Sequence, residues 1–278
     1  MASPQILEIH SHSTASDGAK SPSELARLMA SHKVEVWALT DHDTVEGCEE
    51  GRVAALDLGV HFIAGIEVSA DLEGASIHVL GYDVDITNQR LGTYGETMKE
   101  GRHERMAEMV DRMCHLGFEV TLEEVIEQSG GGNLGRPHLA KALVARGHVD
   151  RLQKAFNRWL SNDGPGYVPM SRPSVGESID MIIDAGGVAV LAHPGRYGDV
   201  SEHLPRWKER GLWGLEVRHP SHNGYTERRL SRMAVEFGLG RTASNDWHGQ
   251  KEGEYQRLGK VRFPIEWREP FLEALSFG

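Results

Sequence analysis

Histidines and carboxylates close one apolar run after another along this chain. His10-Ser11-His12 ends the run Ile6–Ile9, and Asp17 follows five residues after His12. Asp41-His42-Asp43 follows Val34–Leu39, Glu67 follows Phe62–Ile66, and His78 lies inside Ile77–Leu80. Much later His193 follows Val188–Leu191, and Asp246 and His248 follow the run ending at Ser244. Short apolar runs of this kind read as buried strands. Ligand-type residues at the ends of so many of them point to a multi-metal site built at one end of a barrel.

Side chains at i and i+2 of a strand share a face. His10 and His12 therefore grip one cation together while Ser11 points away. Imidazole and carboxylate suit Zn, Mn and Fe, whereas thiolates favour softer ions, and neither Cys48 nor Cys114 has ligand spacing. The candidates are His10, His12, Asp17, His42, Glu67, His78, His193, Asp246 and His248. A structural zinc uses about four ligands, so this set, with a shared carboxylate, serves two or three divalent metals. Closely spaced metals clamp the attacking and leaving oxygens of a phosphoryl hydrolysis, with metal-bound water as the nucleophile.

A length of 278 residues fits one large domain or a barrel with an insertion. With 39% hydrophobic and 26% charged residues the chain can build a core, which argues against disorder. No apolar run approaches the ~20 residues of a membrane span. Met1-Ala2-Ser3-Pro4-Gln5 lacks the regions of a signal peptide. Two distant cysteines give no disulfide framework, so a cytoplasmic protein is expected. The formal charge of −11 disfavours long duplex nucleic acid, which needs clustered Lys and Arg. Bound divalent cations reverse the local sign, so a small phosphorylated substrate remains compatible. Composition leaves the oligomeric state open.

Residues 1–87 alternate between strand and helix patterns. Ser21-Pro22-Ser23-Glu24 is a helix start with Ser as N-cap, followed by the stripe Leu25, Leu28, Met29. The alternation predicts βα units and a mostly parallel sheet. From about Thr87 the rhythm breaks. Leu91–Leu116 reads as a long polar helix, Thr121-Leu122-Glu123-Glu124 as a capping box, Ser129-Gly130-Gly131-Gly132-Asn133 as a loop, and Pro137–Arg146 and Val149–Leu160 as helices. Residues 88–170 are thus a helical insertion, a substrate cap, within a barrel made of 1–87 and 171–278. From Ser174-Val175-Gly176-Glu177, another cap, strands are expected at Val188–Leu191, Leu212–Val217 and Gly238–Ser244.

Taken together, Ile9-His10-Ser11-His12 with Asp17-Gly18, Leu39-Thr40-Asp41-His42-Asp43-Thr44, Gly65-Ile66-Glu67, Ala192-His193-Pro194-Gly195 and Asn245-Asp246-Trp247-His248-Gly249 resemble the polymerase and histidinol phosphatase (PHP) family. The resemblance covers about two-thirds of the chain. It implies an α/β fold, a distorted (β/α)7 barrel with a helical insertion domain and a trinuclear metal site at the C-terminal strand ends. By motif, His10, His12, Glu67 and Asp246 hold the first metal, and Asp17, His42 and His248 the second. Glu67 bridges to a third, also held by His78 and His193. The family's usual Gly-Ser-Asp-Phe-His-Gly is here Ser244-Asn245-Asp246-Trp247-His248-Gly249, which keeps the ligands and changes their neighbours. The insertion resembles that of nucleotide-acting members, which hydrolyse nucleoside 3′,5′-bisphosphates or trim short RNA from the 5′ end. Gly135-Arg136-Pro137-His138 resembles their substrate-binding segment.

Arg136 can fork onto phosphate oxygens, and His219, closing Glu216-Val217-Arg218-His219-Pro220, is placed to protonate the leaving oxygen or hold phosphate. Arg196 is a further phosphate contact. Tyr167 is read as a packing residue rather than a base-stacking one, Cys48 as a packed residue, and Asp41 and Asp43 as residues that orient a ligand histidine. The resulting expectation is a metal-dependent phosphatase acting on nucleotides with Mn, Fe or Zn. A 5′→3′ exonuclease on short RNA, a metal-dependent amide hydrolase and a metal-stabilised regulatory module are the alternatives.

Overall fold

Among the described residues, seven strands form one sheet in strict chain order: β1 (Leu7–Glu8), β2 (Val36–Leu39), β3 (His61–Leu72), β4 (Ala75–Tyr82), β5 (Val188–Leu191), β6 (Leu212–Arg218) and β7 (Gly240–Ala243). The structure, a computed structural model, describes residues 6–130, 132–250 and 253–275. The terminus Met1-Ala2-Ser3-Pro4-Gln5 and Gly131 of the glycine loop lie outside the described residues. Strand β1 pairs parallel with β2, β2 with β3, β5 with β6 and β6 with β7, but β4 runs antiparallel to both its neighbours. The cause is local. Glu73 and Gly74 both take positive φ (53° and 85°), the geometry of a two-residue hairpin turn, so β3 folds straight back into β4 without a helix. The barrel is thus distorted at this hairpin.

The sheet curls until its two ends meet. Ser11 forms a parallel bridge with Trp247, His12 N–H donates to Trp247 O (2.8 Å), and Trp247 N–H donates to His10 O (3.1 Å). Glu8, fully buried on β1, fastens the same seam. Its carboxylate accepts from Ser244 Oγ (2.5 Å), from Asn245 N (3.0 Å) and Nδ2 (2.5 Å), and from Gly259 N (3.2 Å). Burial raises the pKa of this carboxyl and the donated hydrogen bonds only partly offset that.

The helices cover the sheet as their caps dictate. Helix α1 (Pro22–Ser31) opens with a complete capping box, Ser21 against Glu24, and buries Leu25, Ala26 and Met29. These pack with Val34, Trp37, Leu39, Ala55 and Trp247. Helix α2 spans Cys48–Asp57, and Cys48 is buried, as a packed residue, with its thiol donating to Gly65 O (3.5 Å). Burial pushes that thiol up to about 12, away from thiolate chemistry.

Two compact units emerge, residues 1–93 with 172–278, and residues 94–171. Helix α3 (Gln89–His115) begins in the first, where Asn88 Nδ2 reaches Asp184 O (3.2 Å), and continues into the second. The second unit is helical: the rest of α3, α4 (Leu122–Ser129), α5 (Arg136–Ala145) and α6 (Leu152–Ala155), with a π turn over Phe156–Leu160. Its own core holds Met106, Met109, Met113, Val125, Leu139 and Leu143. Back in the first unit, α7 (Val175–Asp184), α8 (Leu204–Glu209), α9 (Gly224–Glu236), α10 (Glu254–Arg257) and α11 (Ile265–Ala274) complete the layer around the sheet. No helix of the described residues is long and apolar enough to cross a membrane.

Glu8→Ala leaves four donors at the seam without an acceptor. Stability should fall by about 3 kcal/mol, since buried unsatisfied donors are expensive, and Tm by roughly 6 °C or more. Glu8→Gln, which keeps the shape, should fall less. Equal melting of wild type and Glu8→Ala by calorimetry would refute the seam's role.

Candidate metal centre

The pair His10 and His12 owes its orientation to Ser11. The Ser11 hydroxyl donates to Ala38 O (2.9 Å) and accepts from the Trp37 indole Nε1 (2.8 Å), while Trp37 is wholly buried edge-on to Phe62. With Ser11 fixed toward the core, its two neighbours face the other way, and both imidazoles are fully buried.

They face Glu67. This carboxylate has no solvent exposure. Its Oε1 lies 2.9 Å from His78 Nδ1, 3.0 Å from His193 Nε2 and 3.4 Å from His10 Nε2. Its Oε2 lies 2.9 Å from His42 Nδ1 and 3.3 Å from His12 Nε2. Glu67 sits in the middle of β3 rather than at its end, because β3 runs on to Leu72. The register sets Ser69 opposite His78 and Glu67 opposite Leu80, so Glu67 and His78 are diagonal neighbours on one face of the hairpin.

Asp246 and Asp17 supply the remaining carboxylates. Asp246 Oδ1 is 3.2 Å from His12 Nε2, 3.3 Å from His10 Nε2 and 3.5 Å from His248 Nδ1. Asp17 Oδ1 is 3.3 Å from His248 Nε2. Donor atoms fall into three overlapping sets, each within 4.8 Å: His12, Asp17, His42 and His248; His10, His12, Glu67 and Asp246; His42, Glu67 and His78. The sets differ from the motif allocation: His12 and His42 each enter two, and His42 rather than His193 joins Glu67 and His78 in the third, although His193 Nε2 also lies 3.0 Å from Glu67 Oε1. His10 Nε2, both ring nitrogens of His12 and Glu67 Oε2 are buried and, close as their neighbours lie, form no hydrogen bond of good geometry. Buried polar atoms are costly when unsatisfied, and these are N and O donors of the kind that Zn, Mn and Fe accept. The residues fit a metal cluster.

The backbone is bent to bring them there. His193 (φ 31°) and Asp246 (φ 51°) are left-handed, as is Asp43 beside His42 (φ 58°). Non-glycine residues seldom take this conformation, and such outliers gather at functional sites. Gly18 is needed for a different reason: a Cβ there would lie 2.1 Å from His12 O.

Burial penalises charge throughout the cluster, yet the carboxylates overcome it at some rings. His42 rises to about 9 under Glu67 and Asp17, and His248 to about 10 under Asp17 and Asp246. His10 is held well above its ordinary value by Glu216, Asp246 and Glu67. At His12 burial wins, aided by His248 and His42, and the pKa falls to about 3; His193 falls to about 4, mainly through burial. Against their own burial, Glu67 and Asp246 are kept well below the carboxylate range by these imidazoles.

Sequence reasoning passed over two supporting residues. Glu216, buried on β6, accepts from His10 Nδ1 (3.0 Å) and from His193 N (2.8 Å). That bond fixes the His10 tautomer and turns Nε2 toward the cluster. Its only signal is an acidic residue inside the apolar run Leu212–Val217. The Tyr197 hydroxyl joins His193 Nδ1 (2.7 Å) to the backbone N–H of His78 (3.0 Å). Asp41 and Asp43 brace loops: Asp41 accepts from Ser13 N and Oγ and from Ser16 Oγ, and Asp43 from Ser69 N and Oγ.

His219 and Arg196 line one cavity of about 350 Å³ with Asp246, Asn245 and Arg257. His219 Nδ1 accepts from Ser221 N (3.0 Å), so the neutral ring carries its proton on Nε2, 3.2 Å from Asp246 Oδ2. Arg136 and His138 belong to the helical unit. Arg136 Nη1 donates to Leu160 O and Asn162 Oδ1 (both 2.9 Å), and its guanidinium lies over the rings of Phe156 and Tyr167. Tyr167 is there a packing surface for Arg105 as well. His138 is buried, and its Nδ1 accepts from Gly135 N (3.1 Å).

Comparison with known proteins decides the family. The PHP domain matches residues 8–162, more than half of the chain. The chain belongs to the PHP family. It is a hydrolase, a metal-dependent phosphoesterase. Among its PHP relatives, a 3′,5′-nucleoside bisphosphate phosphatase of Chromobacterium violaceum is 31% identical over 278 residues, covering 96% of both chains. A 5′-3′ exoribonuclease of Haemophilus influenzae is 32% identical over 245 residues, 87% of this chain and 89% of the relative. The crystal structure of a proposed metal-dependent phosphoesterase from Bifidobacterium adolescentis superposes with a TM-score of 0.87 at 31% identity, over 98% of this chain and 97% of that one.

The pKa shifts give the chelated protein a stability optimum near pH 6.5. His42 and His248 have raised pKa values, so their contribution is complete below about 6.5 and is lost as pH climbs through about 9 to 10. His12 and His193 have lowered values; below 6.5 the unfolded chain takes up protons that these buried rings refuse, and stability falls toward pH 4. Tm measured in EDTA from pH 5 to 10 should therefore peak near 6.5. A flat profile between 6 and 9 would contradict these charges.

Proposed function

We propose that this PHP phosphoesterase removes phosphate from small nucleotides, with the 3′-phosphate of nucleoside 3′,5′-bisphosphates as the preferred leaving phosphoryl group. Two or three divalent ions, Mn, Fe or Zn, would be held by His10, His12, Asp17, His42, Glu67, His78, His193, Asp246 and His248. The observation that carries the reading is the Glu67 carboxylate, which meets five imidazoles within 3.4 Å in full burial. One carboxylate so shared suits adjacent ions better than one. Such ions, when bound, supply Lewis acidity and lower the pKa of water.

The chain's own groups divide the remaining work. His219 presents an N–H at the Asp246 edge of the cavity, where the neutral ring can hold a phosphate oxygen and the imidazolium form can hand a proton to the departing alcohol oxygen. Arg196, on the same cavity, supplies positive charge for phosphate oxygens. Arg136 and His138 are assigned to substrate binding on their sequence context. Likeness to a bisphosphate phosphatase over nearly the whole of both chains supports the substrate. The exoribonuclease reading rests on the second relative. A cytoplasmic setting belongs to the same proposal.

Phosphate release should be measured with Mn-loaded protein on adenosine 3′,5′-bisphosphate, AMP, a 5′-phosphorylated RNA trinucleotide and histidinol phosphate, with and without chelator. Chelator-sensitive release, fastest from the bisphosphate, is expected. Faster degradation of the trinucleotide would transfer the assignment to the exoribonuclease. Metal content by elemental analysis should give two or three ions per chain; one or none would defeat the shared-carboxylate reading. Glu216→Gln should lower metal affinity or turnover about 10- to 100-fold, the usual cost of losing a ligand's hydrogen-bond partner.

A further inference from the structure

A second cavity, of about 380 Å³, adjoins the one that holds His219 and Arg196; the two share His219, Pro220, Asn245 and Arg257. Its far wall is basic, with Arg218, Lys260 and Arg262 joining Arg257. The chain as a whole carries −11, so four cations around one hollow run against its composition. Glu227 is the single carboxylate on the wall, and it lies 3.5 Å from Arg218, whose guanidinium also stacks on Trp267. Among the described residues Arg257, Lys260 and Arg262 form no ion pair.

These cations stand on a fixed backbone. Asn245 Nδ2 donates to Arg257 O (3.0 Å), Gly259 N donates to Glu8 (3.2 Å), and Arg218 Nη1 donates to Arg262 O (2.7 Å). Leu258 and Phe263 are buried on either side. The segment 257–262 is thus pinned to the barrel at three points, two at the seam and one at the end of β6, while its charged side chains remain exposed. His222, on the same wall, takes no part, because Nδ1 donates to Val217 O (2.9 Å) and Nε2 accepts from Gly195 N (3.1 Å). Cations without carboxylate partners, held in place and open to solvent, form a site for a dianion or a phosphodiester.

The geometry points to this cavity as a subsite for a second phosphoryl group of the substrate, bound by Lys260, Arg262 and Arg257 while the first occupies the metal centre. The inference rests on the nucleotide reading above and deepens it. The second group can come from the other phosphate of a nucleoside bisphosphate or from the next phosphodiester of a short strand, the chemistry being the same.

The test uses the full Mn-loaded chain and the double variant Lys260→Ala/Arg262→Ala. Hydrolysis of p-nitrophenyl phosphate, which carries one phosphate, serves as the reference for the metal centre. Adenosine 3′,5′-bisphosphate, 3′-AMP and the 5′-phosphorylated dinucleotide pApA are assayed as substrates and as inhibitors of the reference reaction. In the wild type, the bisphosphate or pApA should bind at least 10-fold better than 3′-AMP, and the double variant should lose that advantage when each value is referred to p-nitrophenyl phosphate. Whichever of the two shows the larger loss identifies the source of the second phosphate. An advantage that survives in the double variant overturns the subsite and leaves the nucleotide reading standing. Inhibition by the bisphosphate without turnover, lost in the variant, sinks the nucleotide reading and keeps the anion site. No binding of any nucleotide, with p-nitrophenyl phosphate still cleaved, sinks both.

Discussion

One buried carboxylate organises this molecule. Glu67 lies in mid-strand with no solvent exposure and gathers imidazoles from four other segments: His10 and His12 after β1, His42 after β2, His78 on β4 and His193 after β5. A carboxylate in such a place would be costly if unpaired. The imidazoles would repel one another if protonated without it. Each side offsets the other's desolvation, and divalent ions would offset both. The arrangement explains why left-handed backbone is tolerated at His193 and Asp246. Strain of about 1–3 kcal/mol at each is small beside the cost of leaving a buried charge unmatched.

That centre requires a closed seam. His10 and His12 follow a strand of two residues, Leu7–Glu8, which pairs with β2 but is too short to define a direction by itself. Its direction comes from two anchors on opposite sides. Trp37 holds the Ser11 hydroxyl from the core, and Trp247 holds the backbone of His10 and His12 from the other end of the sheet. Glu8 adds the link to Ser244 and Asn245, the two residues before Asp246. Ligands from the first and last parts of the barrel are thereby set by one cluster of hydrogen bonds, and the same cluster positions segment 257–262 through Gly259.

Where side-chain type alone decides structure, the sequence was legible. The capping boxes at Ser21, Thr121 and Ser174 all form, and the strand read at Val188–Leu191 matches to the residue. The reversal of β4 was not legible, because Leu72-Glu73-Gly74-Ala75 lacks the Asn-Gly or Asp-Gly signal and apolar runs carry no direction. Residues 149–160, read as one helix, become helical only from Leu152 and divide there into a single α turn and a π turn from Phe156. Glu216 and Tyr197 act through partners 206 and four residues away, His10 and His193, and no periodicity reports such pairings. Asp41 illustrates the same limit: proximity to His42 in sequence suggested work on a ring, while the fold spends its oxygens on Ser13 and Ser16.

The charge distribution follows from these placements. An overall charge of −11 repels polyanions at long range, but at physiological ionic strength that field decays over about 8 Å. Around the site the relevant charges are local: imidazoles whose protonation the carboxylates control, Arg196, and the heads of Arg257, Lys260 and Arg262, which form no ion pair among the described residues. A long duplex must bring many phosphates against the acidic remainder of the surface, whereas a ligand of one or two phosphates meets only the local field. On the proposed function, size selection of this kind would need no steric gate. It would arise because carboxylates outnumber cations over the whole chain, 41 to 30, whereas the two adjoining cavities are lined by five cations and three carboxylates, and raising the salt concentration should weaken the discrimination as the acidic surface is screened.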